Sequence, residues 1–276
     1  LKLDSGEVSK DIYNFQNLEE KEKERLIDYS YPEYKRDENT EDRSVIEIKG
    51  LNYSVEDSKI LKDIDLEIKK GEIIALMGRN GSGKTTLIKH ISGMLDIREG
   101  KIKVFNKTMS SKNIIPSYKL GKNIGYVFQN PNHQIFENTI EEEMMFGPKN
   151  FEKGKTKAEK NLKKMMKEEN MTMQTHPHTL SFGQKRRLNI YSSSNHKPEL
   201  IIIDEPFSGQ DHENALSIAS ILNDFWKGGR TLIIVTHDLD FAKRFCTRAL
   251  VMKNGKMIYD GDPDRLKNIK GEVKDR

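Results

Sequence analysis

An α/β fold with a mostly parallel sheet is predicted by three short, wholly apolar runs that alternate with helical patterns. The runs cover residues 73–77, 200–203 and 232–235, and each has the length of a strand that is buried on both faces. Residues 214–226, between the last two runs, carry apolar side chains at helical spacing. Because alternating strands and helices favour parallel pairing, we predict a parallel sheet covered by helices.

Two further regions complete the predicted fold. Residues 45–68 place apolar side chains at nearly alternate positions, which is typical of antiparallel strands at the edge of a domain. Residues 137–170 combine a Met-rich apolar face with many Lys and Glu, and we interpret that face as core packing rather than a ligand groove. The predicted fold class is therefore an α/β core with an antiparallel β edge subdomain and a helical insertion at about 130–195.

Changes in composition along the chain suggest its domain organisation. Residues 1–44 are dominated by charge and have few apolar side chains, so we expect a linker or a partly ordered extension. Residues 45–265 form the predicted domain, and residues 266–276 form a C-terminal tail. Because the chain begins with Leu1 rather than Met, we expect it to be a piece of a longer protein.

Composition excludes several classes of protein. The 47 Lys and Arg against 43 Asp and Glu leave a net charge of only +4, which gives no basic stripe for nucleic acid. The single cysteine, Cys246, excludes an internal disulfide and a multi-cysteine metal site. No apolar stretch approaches the roughly 18 to 20 residues that span a bilayer, and no signal peptide is visible. We therefore expect a soluble chain with no nucleic-acid partner.

A glycine-rich loop with the sequence GRNGSGKT covers residues 78–85, after one apolar run and before a helical pattern. Its glycines let backbone N–H groups surround phosphate oxygens, and the following helix adds its dipole. Lys84 is expected to reach the β- and γ-phosphates, and the Thr85 hydroxyl is expected to ligate Mg²⁺. The predicted nucleotide contacts in this loop are Asn80, Gly81, Ser82, Gly83, Lys84, Thr85 and Thr86.

Two acidic residues follow the apolar run at 200–203. Mg²⁺ on a nucleotide needs an acidic partner, and hydrolysis needs a group that orients water. We expect Asp204 to hold the metal or its waters, and Glu205 to polarise the attacking water.

The pentapeptide LSFGQ at 180–184 resembles the signature motif LSGGQ of ABC ATPases. Further motifs of that family occur in its order between about 45 and 265. They are the glycine-rich loop, Gln129 after the run 124–128, the pentapeptide, the acidic strand end, the SGQD loop at 208–211 and His237. Six motifs in one order make the resemblance specific. It implies the P-loop NTPase fold of an ABC ATPase that binds ATP and Mg²⁺ and hydrolyses ATP.

The resemblance also implies a head-to-tail dimer. In it each ATP is held between the glycine-rich loop at 78–85 of one copy, called the P-loop, and the pentapeptide at 180–184 of the other copy, called the signature. Ser181, Gly183 and Gln184 would then act on the γ-phosphate of the other copy's ATP. Asp211, in the loop after the acidic strand, would couple the two sites.

By the same resemblance, His237 steadies the γ-phosphate, and Gln129 ligates the metal and reports nucleotide state to a membrane partner. The implied catalytic residues are thus Glu205, His237 and Gln129. The implied metal ligands are Thr85, Gln129 and Asp204.

Three positions depart from the pattern of the wider family. Phe182 replaces a glycine of the signature, and the loop at 207–211 differs from the commoner sequence of that loop. The aromatic residue that usually stacks on adenine falls on Val55 by spacing, and Tyr53, two residues earlier on the same face, is the alternative.

Residues 127–150 narrow the resemblance to a subfamily. Their QNPNHQ, TIEE and FGP stretches resemble the ATPases of energy-coupling factor importers, which take up cobalt, nickel or vitamins in prokaryotes. This implies three partners: a second or paired ATPase, a transmembrane coupling subunit and a membrane subunit that captures the solute. It also implies a peripheral location on the cytoplasmic face of the membrane. Some such ATPases are two fused halves, in which case residues 1–44 would be the linker after a first half.

In this subfamily reading, Ile135, Phe136 and Phe146 are expected to line a groove for a helix of the coupling subunit. Two alternatives are a soluble ABC ATPase acting on nucleic acid or ribosomes, and a regulatory nucleotide-binding module without turnover. No long coiled-coil pattern or basic extension supports the first, and intact Lys84 and Glu205 argue against the second. The transported solute stays unassigned, because a separate subunit would capture it.

Overall fold

A computed structural model describes residues 43–210 and 212–269 of the chain. Residues 1–42 of the predicted linker (1–44), Asp211, and residues 270–276 of the predicted tail (266–276) lie outside the described residues. The strands are β1 (Ser44–Val55), β2 (Ser58–Lys69), β3 (Ile73–Met77), β4 (Glu99–Val104), β5 (Lys107–Ser110), β6 (Ile124–Val127), β7 (Leu200–Asp204), β8 (Thr231–Val235), β9 (Arg248–Lys253) and β10 (Lys256–Gly261). The helices are α1 (Lys84–Ile91), α2 (Ser117–Gly121), α3 (Ile140–Phe151), α4 (Lys155–Glu169), α5 (Phe182–Asn195), α6 (His212–Lys227) and α7 (Leu239–Phe245). Short 3₁₀ helices cover Pro131–His133, Pro177–Thr179 and Pro263–Ile269.

One sheet is antiparallel and has the strand order β2–β1–β4–β5. In its register Ile48 lies between Leu66 of β2 and Ile102 of β4, and all three side chains are buried. Their common face packs on the core, while charged residues such as Glu47 and Lys103 occupy the opposite face. The antiparallel edge predicted from residues 45–68 is confirmed.

The second sheet has the order β10–β9–β3–β8–β7–β6, with parallel pairing from β9 to β6 and β10 antiparallel at the edge. Every residue of β3, β7 and β8 is buried, as expected for strands covered on both faces. The carboxyl ends of β3, β8, β7 and β6 lie along one edge of this sheet. That edge therefore collects the P-loop, His237, the acidic pair and Gln129.

Residues of the parallel strands alternate between two apolar cores. From β3, Ile73, Ala75 and Met77 face the core shared with α3 to α7, whereas Ile74 and Leu76 face the core shared with α1 and the antiparallel sheet. This alternation gives a layered α/β architecture in which the parallel sheet is the middle layer.

The segment between β6 and β7 is mostly helical and contains α3, α4 and α5. α3 and α4 are separate helices because Glu152 and Gly154 adopt left-handed backbone conformations, with φ of 52° and 88°. A Cβ at Gly154 would overlap the carbonyl oxygen of Asn195, so only glycine fits this close approach. Met144 and Met165 are buried in the core, as expected from the apolar face.

No helix within the described residues is both long and apolar enough to cross a membrane.

Candidate active site

A cavity of about 300 Å³ opens at the carboxyl edge of the parallel sheet. Three parts of the chain form its wall: the P-loop with the start of α1, the ends of β6, β7 and β8, and the edge of the antiparallel sheet. The lining residues are Ile60, Asn80, Gly81, Ser82, Gly83, Lys84, Thr85, Thr86, Gln129, Asp204, Glu205 and Val235. The seven nucleotide contacts predicted from residues 80–86, the metal set and Glu205 are thus brought together in one place.

The P-loop depends on glycine at positions where the backbone has positive φ. Gly78, Gly81 and Gly83 have φ of 137°, 76° and 106°. A Cβ at Gly78 would overlap the carbonyl oxygen of Met252, so this turn is locked against β9. A Cβ at Gly81 would meet nothing within 4 Å, because that residue faces the open cavity.

Lys84 is buried at the start of α1, and its ammonium is held by the loop. Nζ donates to the carbonyl oxygens of Gly78 at 2.6 Å and Arg79 at 3.1 Å. The ammonium is therefore fixed at the centre of the loop, at the wall of the cavity.

The turn between β9 and β10 supports the P-loop from behind. The Gly255 N–H donates to the carbonyl oxygen of Ser82 at 3.1 Å, and the Lys62 N–H donates to the carbonyl oxygen of Gly255 at 2.8 Å. A Cβ at Gly255 would overlap the carbonyl oxygen of Ile60. The sequence did not predict that Ile60 lines the cavity or that Gly255 supports the P-loop. The Asn254-Gly255 pair is a hairpin signal, but it carries no information about a contact with the P-loop.

The acidic pair at the end of β7 sits in two different environments. Asp204 is 5% exposed, and burial raises the pKa of its carboxyl to about 6, with a further rise from the Glu205 charge. Lys84 and Arg186 act in the opposite direction and lower that pKa. Glu205 has a φ of 47°, which is a strained backbone conformation for a residue with a Cβ.

His237 lies beside Glu205 after β8. Its Nδ1 is 3.2 Å from Oε2 and 3.3 Å from Oε1 of Glu205, and this hydrogen bond raises the pKa of the imidazole. The His237 ring is exposed and does not line the cavity itself. The contact joins the loop after β8 to the end of β7 beside the cavity.

The residues present fit a phosphate group. The Ser82 hydroxyl is buried at the cavity wall and has no hydrogen-bond partner among the described residues. α1 has Gly83 as its N-cap, with no side-chain capping hydrogen bond and no acidic residue in its first turn. The N–H groups at the N-terminus of α1 and the Ser82 hydroxyl are donors suited to an anion.

The residues present also fit Mg²⁺. Thr85, Gln129 and Asp204 supply hydroxyl, amide and carboxylate oxygens, the ligand types that Mg²⁺ prefers. With one carboxylate in the set, phosphate oxygens of the nucleotide would complete the coordination, as in other nucleotide sites.

The signature residues do not line this cavity. Ser181 caps α5: its Oγ accepts from the Gln184 N–H at 3.2 Å, and Gln184 Oε1 accepts from the Ser181 N–H at 2.8 Å. Gln184 also donates to Glu169 at 3.0 Å. A Cβ at Gly183 would crowd the Asn214 side chain of α6. Within one chain, the structure keeps the signature apart from the P-loop cavity.

Neither candidate for the adenine contact lines the cavity. The Tyr53 ring is half-buried against His90 in the last turn of α1, with a centroid distance of 4.6 Å, and Arg98 lies 5.7 Å from its centroid. Val55 is 49% exposed at the end of β1. Of this sheet, Ile60 on β2 reaches the cavity instead.

A second concave surface lies between β6 and the helical segment, and we call it the lateral groove. Its lining residues are Gly121, Ile124, Gly125, Tyr126, Gln134, Phe136, Glu143, Phe146, Gly147, Phe151, Ser192, Ser193 and His196. Phe136 and Phe146 are 59% and 43% exposed, and their rings meet edge to face at 4.7 Å. One expectation is corrected here: Phe136 and Phe146 line the lateral groove, but Ile135 packs in the core instead. Alternation along the chain turns neighbouring side chains in opposite directions.

The lateral groove also holds two buried ionisable groups. Glu143 Oε2 accepts from the N–H groups of Phe136 at 3.2 Å and Glu137 at 3.0 Å, and burial raises the pKa of its carboxyl. Burial lowers the pKa of His196 to about 4, so its imidazole is neutral at physiological pH.

His176 and His178 lie at a short 3₁₀ turn before the signature. Their rings are 5.5 Å apart, and the described part of the chain has no group of three or more His, Cys, Asp and Glu side chains that could hold a metal ion.

Comparison with known proteins gives consistent results. A family profile described as "ABC transporter" matches residues 61–208. The energy-coupling factor transporter ATP-binding protein EcfA2 of Clostridium tetani is 38% identical over 217 residues, which cover 77% of this chain and 75% of that protein. The energy-coupling factor transporter ATP-binding protein EcfA of Methanocaldococcus jannaschii is 37% identical over 227 residues, covering 80% of each chain.

A solved structure is similar over most of its length. It is cbiO1 from Clostridium perfringens, described as part of the ABC transporter complex cbiONQ. It matches with a TM-score of 0.68 and 34% identity, covering 83% of this chain and 92% of that chain.

Proposed function

The chain belongs to the ABC transporter family and is an ATPase that powers an importer of the energy-coupling factor type, and from this premise we propose how its residues divide the work. The P-loop with Lys84 and Ser82 holds the phosphates of ATP. Thr85, Gln129 and Asp204 hold Mg²⁺, which neutralises phosphate charge when bound. The observation that supports this most strongly is the unpartnered Ser82 hydroxyl beside the fixed Lys84 ammonium in one cavity.

Glu205 polarises the attacking water in this proposal, and His237 steadies the γ-phosphate. The hydrogen bond between them restrains the Glu205 carboxylate, and Glu205 lines the cavity. The positive φ of Glu205 contributes to its placement, because it bends the chain directly after the buried β7.

We further propose that ATP assembles two copies, or this chain and a paired ATPase, head to tail. The P-loop cavity is open, and the signature is far enough from it that no signature residue is part of its wall. Ser181, Gly183 and Gln184 therefore complete the site of the other copy rather than their own. The N-terminus of α5 presents its N–H groups there to the γ-phosphate. Asp211, outside the described residues, would couple the two sites.

The lateral groove is proposed to receive a helix of a transmembrane coupling subunit. Exposed aromatic rings at a concave surface favour a protein contact, and Gln134 of the groove lies five residues after Gln129 of the nucleotide cavity. Attachment through this groove would place the chain peripherally on the cytoplasmic face of the membrane. A further membrane subunit would capture the solute.

The test uses Glu205→Gln, because an amide fits the same space but cannot polarise water. We expect the variant to bind ATP, to hydrolyse it about 100-fold more slowly, and to form an ATP-dependent dimer that elutes earlier in size-exclusion chromatography. Turnover is measured with Mg²⁺ and ATP, with and without the membrane subunits.

The wild-type chain with ADP is the control and should elute as in the absence of nucleotide. If Glu205→Gln shows no ATP-dependent association, alone or with a paired ATPase, the head-to-tail dimer is wrong. If the wild-type chain in complex with its membrane subunits does not hydrolyse ATP, the proposed division of catalytic roles is wrong.

A further inference from the structure

We propose that Arg186 is a positioning residue that fixes the backbone of Gln129 and Glu205, and so ties the signature helix α5 to both sides of the nucleotide cavity. The inference rests on the proposed function, because it assigns to Arg186 the support of two residues that act there on metal and water.

The Arg186 guanidinium joins three carbonyl oxygens from two strand ends. Nη1 donates to Phe128 at 2.6 Å, and Nη2 donates to Gln129 and, at 3.4 Å, to Glu205. Phe128 and Gln129 follow β6, Glu205 follows β7, and the two strands are paired. One planar group therefore connects both segments with α5 at fixed spacing.

Burial makes this connection rigid. Arg186 is 0% exposed, so its carbonyl partners cannot be replaced by water without opening the structure. Burial lowers the pKa of the guanidinium to about 10, and the Asp204 and Glu205 charges oppose that change. The group is thus charged at neutral pH, and its hydrogen bonds are charge-assisted.

Glu205 has a particular need for such support. Its φ of 47° is strained, and a strained residue stays in place only when its surroundings hold it. Its N–H donates to the carbonyl oxygen of Val235 at 3.0 Å, and its carbonyl oxygen accepts from the Ser208 N–H at 3.3 Å as well as from Arg186. Of these three hydrogen bonds, the one from Arg186 connects Glu205 to α5.

The same helix offers a matched control. Asn189, one turn after Arg186, is also buried, and its Nδ2 donates to the carbonyl oxygen of Pro131 at 2.8 Å. This bond joins α5 to the segment after Gln129 but touches neither Gln129 nor Glu205. Asn189→Leu removes a buried bond of α5 while leaving the catalytic backbone held.

The experiment compares Arg186→Met, Arg186→Lys and Asn189→Leu with the wild type, in the complex with the membrane subunits. For both Arg186 variants we expect kcat to fall about 10- to 100-fold with KM for ATP unchanged, because misplacing a catalytic group costs rate rather than phosphate binding. Lysine keeps the charge but cannot reach three carbonyls in one plane, so it should not restore the rate. Asn189→Leu should lower the melting temperature and leave kcat at the wild-type value.

A double-mutant cycle gives a readout that lost stability alone would not change. Gln129→Ala should reduce kcat less in the Arg186→Lys background than in the wild type, because Arg186 acts in part through Gln129. Fully multiplicative losses would overturn the proposal. A wild-type kcat in Arg186→Lys would overturn it too, and that variant decides the question if Arg186→Met does not fold. Both results leave the proposed function intact, whereas an inactive wild-type complex would contradict the proposed function itself.

Discussion

The nucleotide cavity and the lateral groove both adjoin β6 or the residues that follow it, but they are lined by different kinds of groups. Lys84, Asp204 and Glu205 line the cavity, and the charges of Lys84 and of the buried Arg186 both lower the pKa of Asp204. The lateral groove has exposed aromatic rings near Glu143, and the Glu143 carboxylate accepts hydrogen bonds from the backbone N–H groups of Phe136 and Glu137. The chemistry of the first surface suits a small, highly charged ligand, and that of the second suits the apolar partner that we propose.

The contrast explains why the backbone around the nucleotide cavity has several residues with positive φ. Gly78, Gly81, Gly83 and Glu205 all have positive φ and surround the cavity. Such conformations aim donors and carboxylates at one point, which a phosphate group and a water molecule require. A docking surface needs exposed area rather than aimed groups, and side chains on regular helices provide that area.

The largest effect is expected from Lys84→Ala, which removes the cation of the cavity. We expect kcat/KM for ATP to fall by about 100- to 1,000-fold, because the β- and γ-phosphates lose a fixed positive charge. Assembly with the membrane subunits without nucleotide should be unchanged, because Lys84 is not part of the lateral groove. Steady-state kinetics and a pull-down from detergent measure the two properties.

Wild-type kinetics in Lys84→Ala would contradict the P-loop assignment. An equal loss of kcat/KM for ATP and of assembly would show that the nucleotide cavity and the lateral groove do not act independently.

The second effect concerns Phe136→Ala in the lateral groove. Truncating an aromatic anchor of an interface costs about 2 kcal/mol, so we expect affinity for the coupling subunit to fall about 30-fold. ATP affinity of the isolated chain should not change. Because Phe136 is 59% exposed, the melting temperature should change little. Ile258→Ala on β10 is the control, since Ile258 is also an exposed apolar residue but lies on the opposite edge strand from β6.

If Phe136→Ala assembles as well as Ile258→Ala, the proposed contact does not exist. A large fall in melting temperature would instead assign Phe136 a packing role in the helical segment.

The smallest effect is expected from Glu143→Gln and concerns stability. The pKa of Glu143 is raised above its ordinary value of 4.5 in the folded chain, so its carboxyl binds a proton more tightly there than in the unfolded chain. Its contribution to the free energy of unfolding therefore falls as pH rises through the raised pKa. The amide does not titrate, so the variant should lose this part of the pH dependence while keeping an acceptor for Phe136 and Glu137.

Melting temperatures from pH 4 to 8 test this prediction. His196 has a lowered pKa and contributes the opposite slope, with stability lost as pH falls from its ordinary value of 6.5 towards about 4. Since His196 is present in both proteins, the difference between the two curves isolates Glu143. A difference that is constant with pH would mean that Glu143 does not titrate differently in the folded state.

The sequence by itself determined the parallel core, the antiparallel edge and the P-loop. Apolar runs such as 73–77 report burial directly, and GRNGSGKT combines backbone and side-chain chemistry within eight consecutive residues. The sequence also predicts the helical segment between β6 and β7, because the spacing of its apolar residues is a local pattern.

Only the tertiary structure decided which distant residues meet. It packed Tyr53 on His90 rather than at the cavity, brought Gly255 behind Ser82, and placed Arg186 between the ends of β6 and β7. It also turned Ile135 inwards and Phe136 outwards. Local patterns record which face of an element is apolar, whereas contacts between elements depend on register and on the packing of surfaces that are far apart in the chain.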